Sequence, residues 1–264
     1  METETTNHPR KPILEFKDVS MSFGGVQALS NVSFEILGHE ILSIIGPNGA
    51  GKTCALNCIS GYYRPQKGVI IYGGKDLTHL ARHKIAAMGI ARTFQGTEIF
   101  RDMTVHENIM LGRHRFMKSN VLAQALYFGW HRKKEVEHRR VTEEIIDFLE
   151  LNPYRHSIVG ALPYGVQKRI QLGQALATEP DVLLLDEPMA GMNLEEKEDI
   201  ARFILDVYEE RGTAIALIEH DMGVVMDIAD RIVVLDFGIK IAEGVPEDIK
   251  SNEKVIKCYL GEEV

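Results

Sequence analysis

A chain of 264 residues has room for one large domain, or a domain carrying a subdomain, with a substantial core. Its 45% hydrophobic and 26% charged residues exclude a disordered or fibrous protein. The 30 Lys and Arg against 38 Asp and Glu give a net charge of -8, so no nucleic acid is expected as a partner.

The opening residues are polar, with no apolar stretch of export-signal type, and residues 1–12 are expected to be a flexible start. Strands are predicted at Ile13 to Phe23, Ala28 to Ile36 and Glu40 to Ile45, rich in branched residues and separated by Gly or Asn turns. A glycine-rich turn and a helix over about Gly51 to Ser60 follow. From about Ala91 to Gly165 the pattern turns helical, with Ile145, Ile146 and Leu149 striping a helix over roughly Lys133 to Leu151. This shift predicts an inserted helical subdomain at about 96–165 within a single domain spanning 13–264. Helix Val166 to Ala177, strand Val182 to Leu185, helix Leu194 to Arg211, strand Ala214 to Ile218 and a hairpin over Arg231 to Gly244 then predict an α/β layer with a parallel sheet. No run approaches the roughly 18 apolar residues of a membrane span. Cys54 and Cys58, four apart on one helix face, read as small thiols in a reducing compartment.

Residues 46–53 read GPNGAGKT, the pattern G-x-x-x-x-G-K-[ST], placed directly between an apolar strand and a helix. Gly46, Pro47, Asn48, Gly49, Ala50 and Gly51 make a turn in which the N–H groups of Asn48 to Thr53 point inward on phosphate oxygens. The helix N-terminus adds partial positive charge. Lys52 is expected to reach the β and γ phosphates, and Thr53 a magnesium ion. A carboxylate must stand opposite, and Asp186, ending the run Val182 to Leu185, is the expected metal partner. Glu187 beside it is the expected base, polarising the water that attacks the γ phosphate.

These motifs resemble those of one family, the ATP-binding cassette (ABC) ATPases that drive membrane transport. The resemblance also rests on Gln95 in RTFQ, LPYGVQKR at 162–169, AGMN at 190–193 and His220 in LIEHD, all in the family's order from about Ile13 to the C-terminus. It implies a P-loop NTPase core with an N-terminal antiparallel β subdomain and an inserted helical subdomain, working with ATP and Mg2+. By the same resemblance Phe23 stacks on adenine, Gln95 touches magnesium and the attacking water, and His220 is a switch at the γ phosphate. Leu162, Pro163, Tyr164, Gly165, Val166 and Gln167 stand at the signature that closes over a partner's nucleotide; Ala190, Gly191, Met192 and Asn193 form the D-loop.

The signature departs from the usual Leu-Ser-Gly-Gly-Gln at Pro163, Tyr164 and Val166, which removes a serine hydroxyl and a backbone donor and is expected to weaken the partner's site. Asn193 with Glu196, and Thr104 with Glu107, read as capping boxes. Residues 96–108 are the expected surface for the membrane subunit. Arg132, Lys133, Lys134, Arg139 and Arg140, near Trp130, read either as a solvated helix face paired with Glu135, Glu137 and Glu143 or as a contact for anionic lipid.

The FGGVQAL start, the GTEIFRDMTVHENI segment and the ending VIKCYLGEE resemble the ATP-binding subunits of bacterial and archaeal branched-chain amino acid importers. That likeness implies a cytoplasmic subunit, peripheral on the inner face of the cell membrane, bound to permease subunits and paired with a second ATPase subunit. A substrate-binding protein would feed the complex indirectly. An ABC ATPase outside transport, and a weakly catalytic nucleotide-binding regulatory subunit, stay open as alternatives.

Overall fold

A computed structural model describes residues 11–93, 99–116 and 130–260, with the side chains of all but 130–134 and 260. Two sheets share the chain. Strands β1 (Pro12–Phe23), β2 (Val26–Leu37), β4 (Lys67–Tyr72) and β5 (Lys75–Asp76) form a four-stranded sheet in the order β2-β1-β4-β5, every described pairing antiparallel. Alternation of buried and exposed residues along β1 and β2 puts Leu14, Phe16, Leu29 and Phe34 on one covered face, with Phe16 and Phe34 stacked at 4.7 Å.

The second sheet runs β10 (Ile239–Gly244), β9 (Arg231–Asp236), β3 (Ile41–Ile45), β8 (Ala214–Ile218), β7 (Val182–Asp186), β6 (Ile90–Thr93). Its strands are parallel except β10, which returns from β9 as a hairpin. Strands β3, β7 and β8 are buried at every position, because layers cover both faces of this sheet. One face packs with helix α1 (Lys52–Ile59) and the antiparallel sheet. The other packs with α5 (Tyr164–Leu176), α6 (Leu194–Arg211) and the helical segment of α3 (Val105–Gly112) and α4 (Trp130–Phe148). Short helices α2 (Arg82–Ala87), α7 (Met222–Ile228), α8 (Pro246–Lys250) and α9 (Glu253–Leu260) and 3-10 turns at Arg113–Phe116, Asn152–Tyr154 and Val159–Ala161 complete the described elements.

Helix α6 and strand β8 have the bounds read from the sequence, and the Arg231 to Gly244 hairpin forms as expected. One reading is corrected: Ile90–Thr93, assigned in part to the helical stretch from Ala91, is a strand paired with β7. Four residues interrupted by Arg92 are too few to display a strand period. Both capping boxes form, with Thr104 opening α3 and Asn193 opening α6. Residues 1–10, within the expected flexible start, and 96–98, within the expected membrane-subunit surface, lie outside the described residues.

Candidate functional site

The phosphate loop and the ionisable groups of the site sit at the C-terminal ends of β3, β6, β7 and β8, where parallel strands release their loops on one side. The phosphate loop leaves β3 at Gly46, whose φ is 146°. A Cβ there would lie 2.0 Å from the Leu235 carbonyl oxygen, and one at Gly51 2.4 Å from that of Ala28. Glycine at these two positions lets the loop lie flat on its neighbours. The Ala50 N–H bonds Pro47 O at 3.2 Å, and the Gly238 N–H bonds Ala50 O at 3.1 Å, pinning the loop to the β9–β10 turn. Helix α1 then starts at Lys52 with neither a side-chain cap nor an acidic residue in its first turn, which leaves its N–H groups and dipole for an anion.

The Lys52 ammonium is buried and donates to Gly46 O at 2.7 Å and Pro47 O at 2.9 Å. Burial lowers its pKa, opposed by the negative charges of Glu187 and Asp186. The Thr53 hydroxyl stands 3.3 Å from Asp186 Oδ1, and Arg92 donates to Asp186 Oδ2 at 2.8 Å. Burial raises the Asp186 carboxyl, and the Arg92 charge pulls it back.

Glu187 sits at φ 50°, a left-handed conformation uncommon for a non-glycine residue, with its N–H on Ile218 O at 2.9 Å. His220 Nε2 lies 2.9 Å from Glu187 Oε1. Beside His220 in the chain, Glu219, buried, accepts from the Met189 N–H at 2.8 Å and the His220 N–H at 3.1 Å. Burial raises its carboxyl while those two donors oppose the shift. Phe23, at the end of β1, leaves 44% of its surface exposed and meets Tyr63 edge-on at 4.9 Å.

The structure therefore joins Lys52, Thr53, Asp186, Glu187 and His220 in one site, as their motifs required. It joins the signature to the D-loop as well. Pro163 caps α5 without a side-chain bond, and Gln167 donates to Leu162 O at 2.8 Å. A Cβ on Gly165 would meet Glu196 Oε1 at 2.5 Å, and one on Gly191 would touch the Tyr164 ring at 3.6 Å. Val166 and Met192 are buried, while Ala190 bonds back to Glu187 O at 3.3 Å. Gln95 lies outside the described residues. Of the basic cluster, Arg139 pairs with Glu135 at 2.7 Å and Arg140 with Glu144 at 3.3 Å.

Sequence reasoning did not single out Arg92 or Glu219. Their signal was one ionisable residue inside an apolar strand or just after one, and only the fold shows what such a residue faces.

A glycine-lined anion loop before a helix, with a buried lysine and two adjacent carboxylates at the end of β7, defines a nucleotide-hydrolysing α/β protein of the phosphate-loop class. A family profile described as "ABC transporter" matches residues 29–190, and one described as "Branched-chain amino acid ATP-binding cassette transporter" matches 240–264. The chain belongs to the ABC transporter family, as an ATP-hydrolysing, ATP-binding subunit. It is 39% identical over 252 residues to the high-affinity branched-chain amino acid transport ATP-binding protein BraF of Pseudomonas aeruginosa, and 38% identical to LivG, of the same description, from Escherichia coli. Each match covers 96% of this chain and 99% of the relative. A solved ATP-binding cassette of an ABC transporter in its ADP conformation superposes with TM-score 0.82 at 31% identity, over 96% of this chain and 100% of that one.

Proposed function

We propose that this chain powers the uptake of branched-chain amino acids, or closely related small solutes, through separate permease subunits at the inner face of the cell membrane. The observation that carries the reading is the juxtaposition of Lys52, Asp186, Glu187 and His220 at one end of a parallel sheet. The solute class is supported by the full-length likeness to BraF and LivG and by the C-terminal profile. The solute itself would be handled by the permease and, indirectly, by a substrate-binding protein.

In this reading ATP binds with its phosphates on the N–H groups of Asn48 to Thr53, the Lys52 ammonium turning to the β and γ oxygens. Phe23, steadied edge-on by Tyr63, offers its open face to adenine. The Thr53 hydroxyl and the Asp186 carboxylate are a hard oxygen pair of the kind Mg2+ takes, and Gln95 would complete the set. Bound there, the metal would supply charge neutralisation across the β and γ oxygens. Glu187 polarises the attacking water, and His220 at 2.9 Å holds its carboxylate in place.

A second such subunit, identical or not, would close its signature over this loop, and residues 162–167 would close over the partner's. Pro163 offers no donor there, and Glu196 sets a carboxylate against Gly165, so the partner's site should be the weaker. These two features also favour a second reading, a subunit whose hydrolysis is slight alone and matters only beside a partner ATPase. Comparing turnover by the chain alone and with that partner separates the two readings.

Replacing Glu187 by Gln is expected to slow hydrolysis by about 10²–10⁴-fold while Mg·ATP binding is kept. Phosphate release and equilibrium binding measure the two, and full turnover in that variant removes Glu187 as the base.

A further inference from the structure

Strand β8 is apolar from Ala214 to Ile218, and the next residue is an acid. That acid, Glu219, is 4% exposed, so its partners must come from the protein. Burying a carboxylate costs stability that an apolar side chain in its place would not, and N–H donors recover part of the loss. Its Oε1 accepts the Met189 N–H at 2.8 Å and its Oε2 accepts the His220 N–H at 3.1 Å. Both oxygens are therefore committed as acceptors.

The two donors belong to different loops. Met189 lies two residues beyond Glu187, on the stretch that leaves β7 for α6, and His220 lies on the stretch that leaves β8 for α7. Glu219 thus bridges the two main chains that carry Glu187 and His220, whose side chains meet at 2.9 Å. Lys197 of α6 and Asp221 tie the same stretches again at 2.7 Å, but those side chains are 27% and 34% exposed, and a surface pair of that kind contributes little. The buried bridge is the stronger of the two. It also answers a need at Glu187, whose φ of 50° persists only while the surrounding structure over-determines it. The Glu187 N–H on Ile218 O fixes one side of that residue, and the Met189 N–H on Glu219 fixes the other.

We propose that Glu219 is a positioning residue for hydrolysis: by bonding the main chains of both loops it holds the Glu187 carboxylate and the His220 imidazole in register with each other. The inference rests on Glu187 as the base under the proposed function and adds the group that keeps it in place. A base acts on its water only from a narrow range of positions, and small displacements are costly in rate.

Two variants break the bridge in different ways. Glu219→Gln keeps the shape but sets an amide NH2 against one of the two N–H donors, and Glu219→Asp keeps the charge but is one methylene too short to reach both. Wild type, both variants and Lys52→Ala are titrated with Mg·ATP by calorimetry, and hydrolysis is followed across ATP concentrations. Each Glu219 variant is expected to lower kcat about 10- to 100-fold, while its Kd for Mg·ATP stays within about twofold of wild type, because the phosphate loop is untouched. Added to Glu187→Gln, the change Glu219→Gln should alter the residual rate by less than about twofold, since the group it positions is already gone. An acid that serves stability alone would lower Tm and leave kcat as in wild type; that result, or fully additive losses in the double variant, overturns the proposal. Amide exchange on wild type needs no variant to fold: Met189 and His220 should be protected as well as β8, and exchange as fast as in an exposed loop overturns the bridge. If wild type binds and hydrolyses Mg·ATP no better than Lys52→Ala, the nucleotide site itself falls and the role of Glu219 falls with it.

Discussion

At Arg92 two opposed electrostatic effects meet in one side chain. The guanidinium and the Asp186 carboxylate are 5% and 0% exposed at 2.8 Å, and the same group also bonds Asn57 on α1 at 2.7 Å and Ser60, which caps that helix, at 3.0 Å. Desolvating both charges is expensive, and their attraction repays it only while both are present. Burial dominates the upward shift of the Asp186 carboxyl, with Arg92 the first of the groups that counter it. Arg92→Met is therefore expected to cost about 3–5 kcal/mol of stability near neutral pH, measured by urea unfolding. The deficit should shrink on acidification, because the stranded Asp186, its folded pKa raised further, takes up a proton before an unfolded aspartate would. In the double variant Arg92→Met/Asp186→Asn most of the loss should return, since no uncompensated charge is left buried. A double variant as unstable as the single one would show that Arg92 acts by packing alone.

Among the elements, those with a long period or a chemical boundary signal were readable in advance. Helix α6 carries a capping box at one end and Gly212 at φ 63° at the other, and strand β8 is five apolar residues between breakers. Strand β5, two residues long, and strand β6, four residues long with an arginine inside, carry no such pattern, and the partner of β6 lies far along the chain, at Val182. The same division holds in the site. Lys52, Thr53, Asp186 and Glu187 are legible because their chemistry demands fixed local spacing, whereas Arg92 and Glu219 are joined to them only by folding.

Helix α3 gives an element-scale prediction. The Thr104 hydroxyl accepts the Glu107 N–H at 3.2 Å, while the Glu107 carboxylate takes the Thr104 N–H and hydroxyl, each at 2.8 Å, and these two Thr104 donors hold it below its ordinary range. Thr104→Ala should cost about 1 kcal/mol. The loss should appear first as faster amide exchange in 104–108, with protection in β3 and β8 unaltered; uniform exchange across the chain would deny α3 a local opening of its own.

For the whole molecule the decisive feature is a groove of about 670 Å³ between the parallel sheet and the helical segment. Ile99, Phe100 and Leu111 from the helical side face Ile85 and Ile90 across it, and Arg82 and Arg115 also line it. Strand β6 lines the groove with Ile90 and Arg92, and the same Arg92 reaches Asp186 in the site. A permease segment seated there would feel any movement of the helical segment relative to the site. Residues 99–108 belong to the expected membrane-subunit surface, and within them Phe100 is 54% exposed, so it is available to an incoming chain without supporting the core. Phe100→Asp is accordingly expected to change stability by no more than about 0.5 kcal/mol and to leave the basal hydrolysis of the isolated chain intact. Placing a carboxylate in an apolar contact should instead reduce co-purification with the permease subunits and abolish any stimulation they give. Retained assembly with full stimulation would move the docking surface elsewhere, because a buried, unpaired charge at a true contact cannot be neutral in energy.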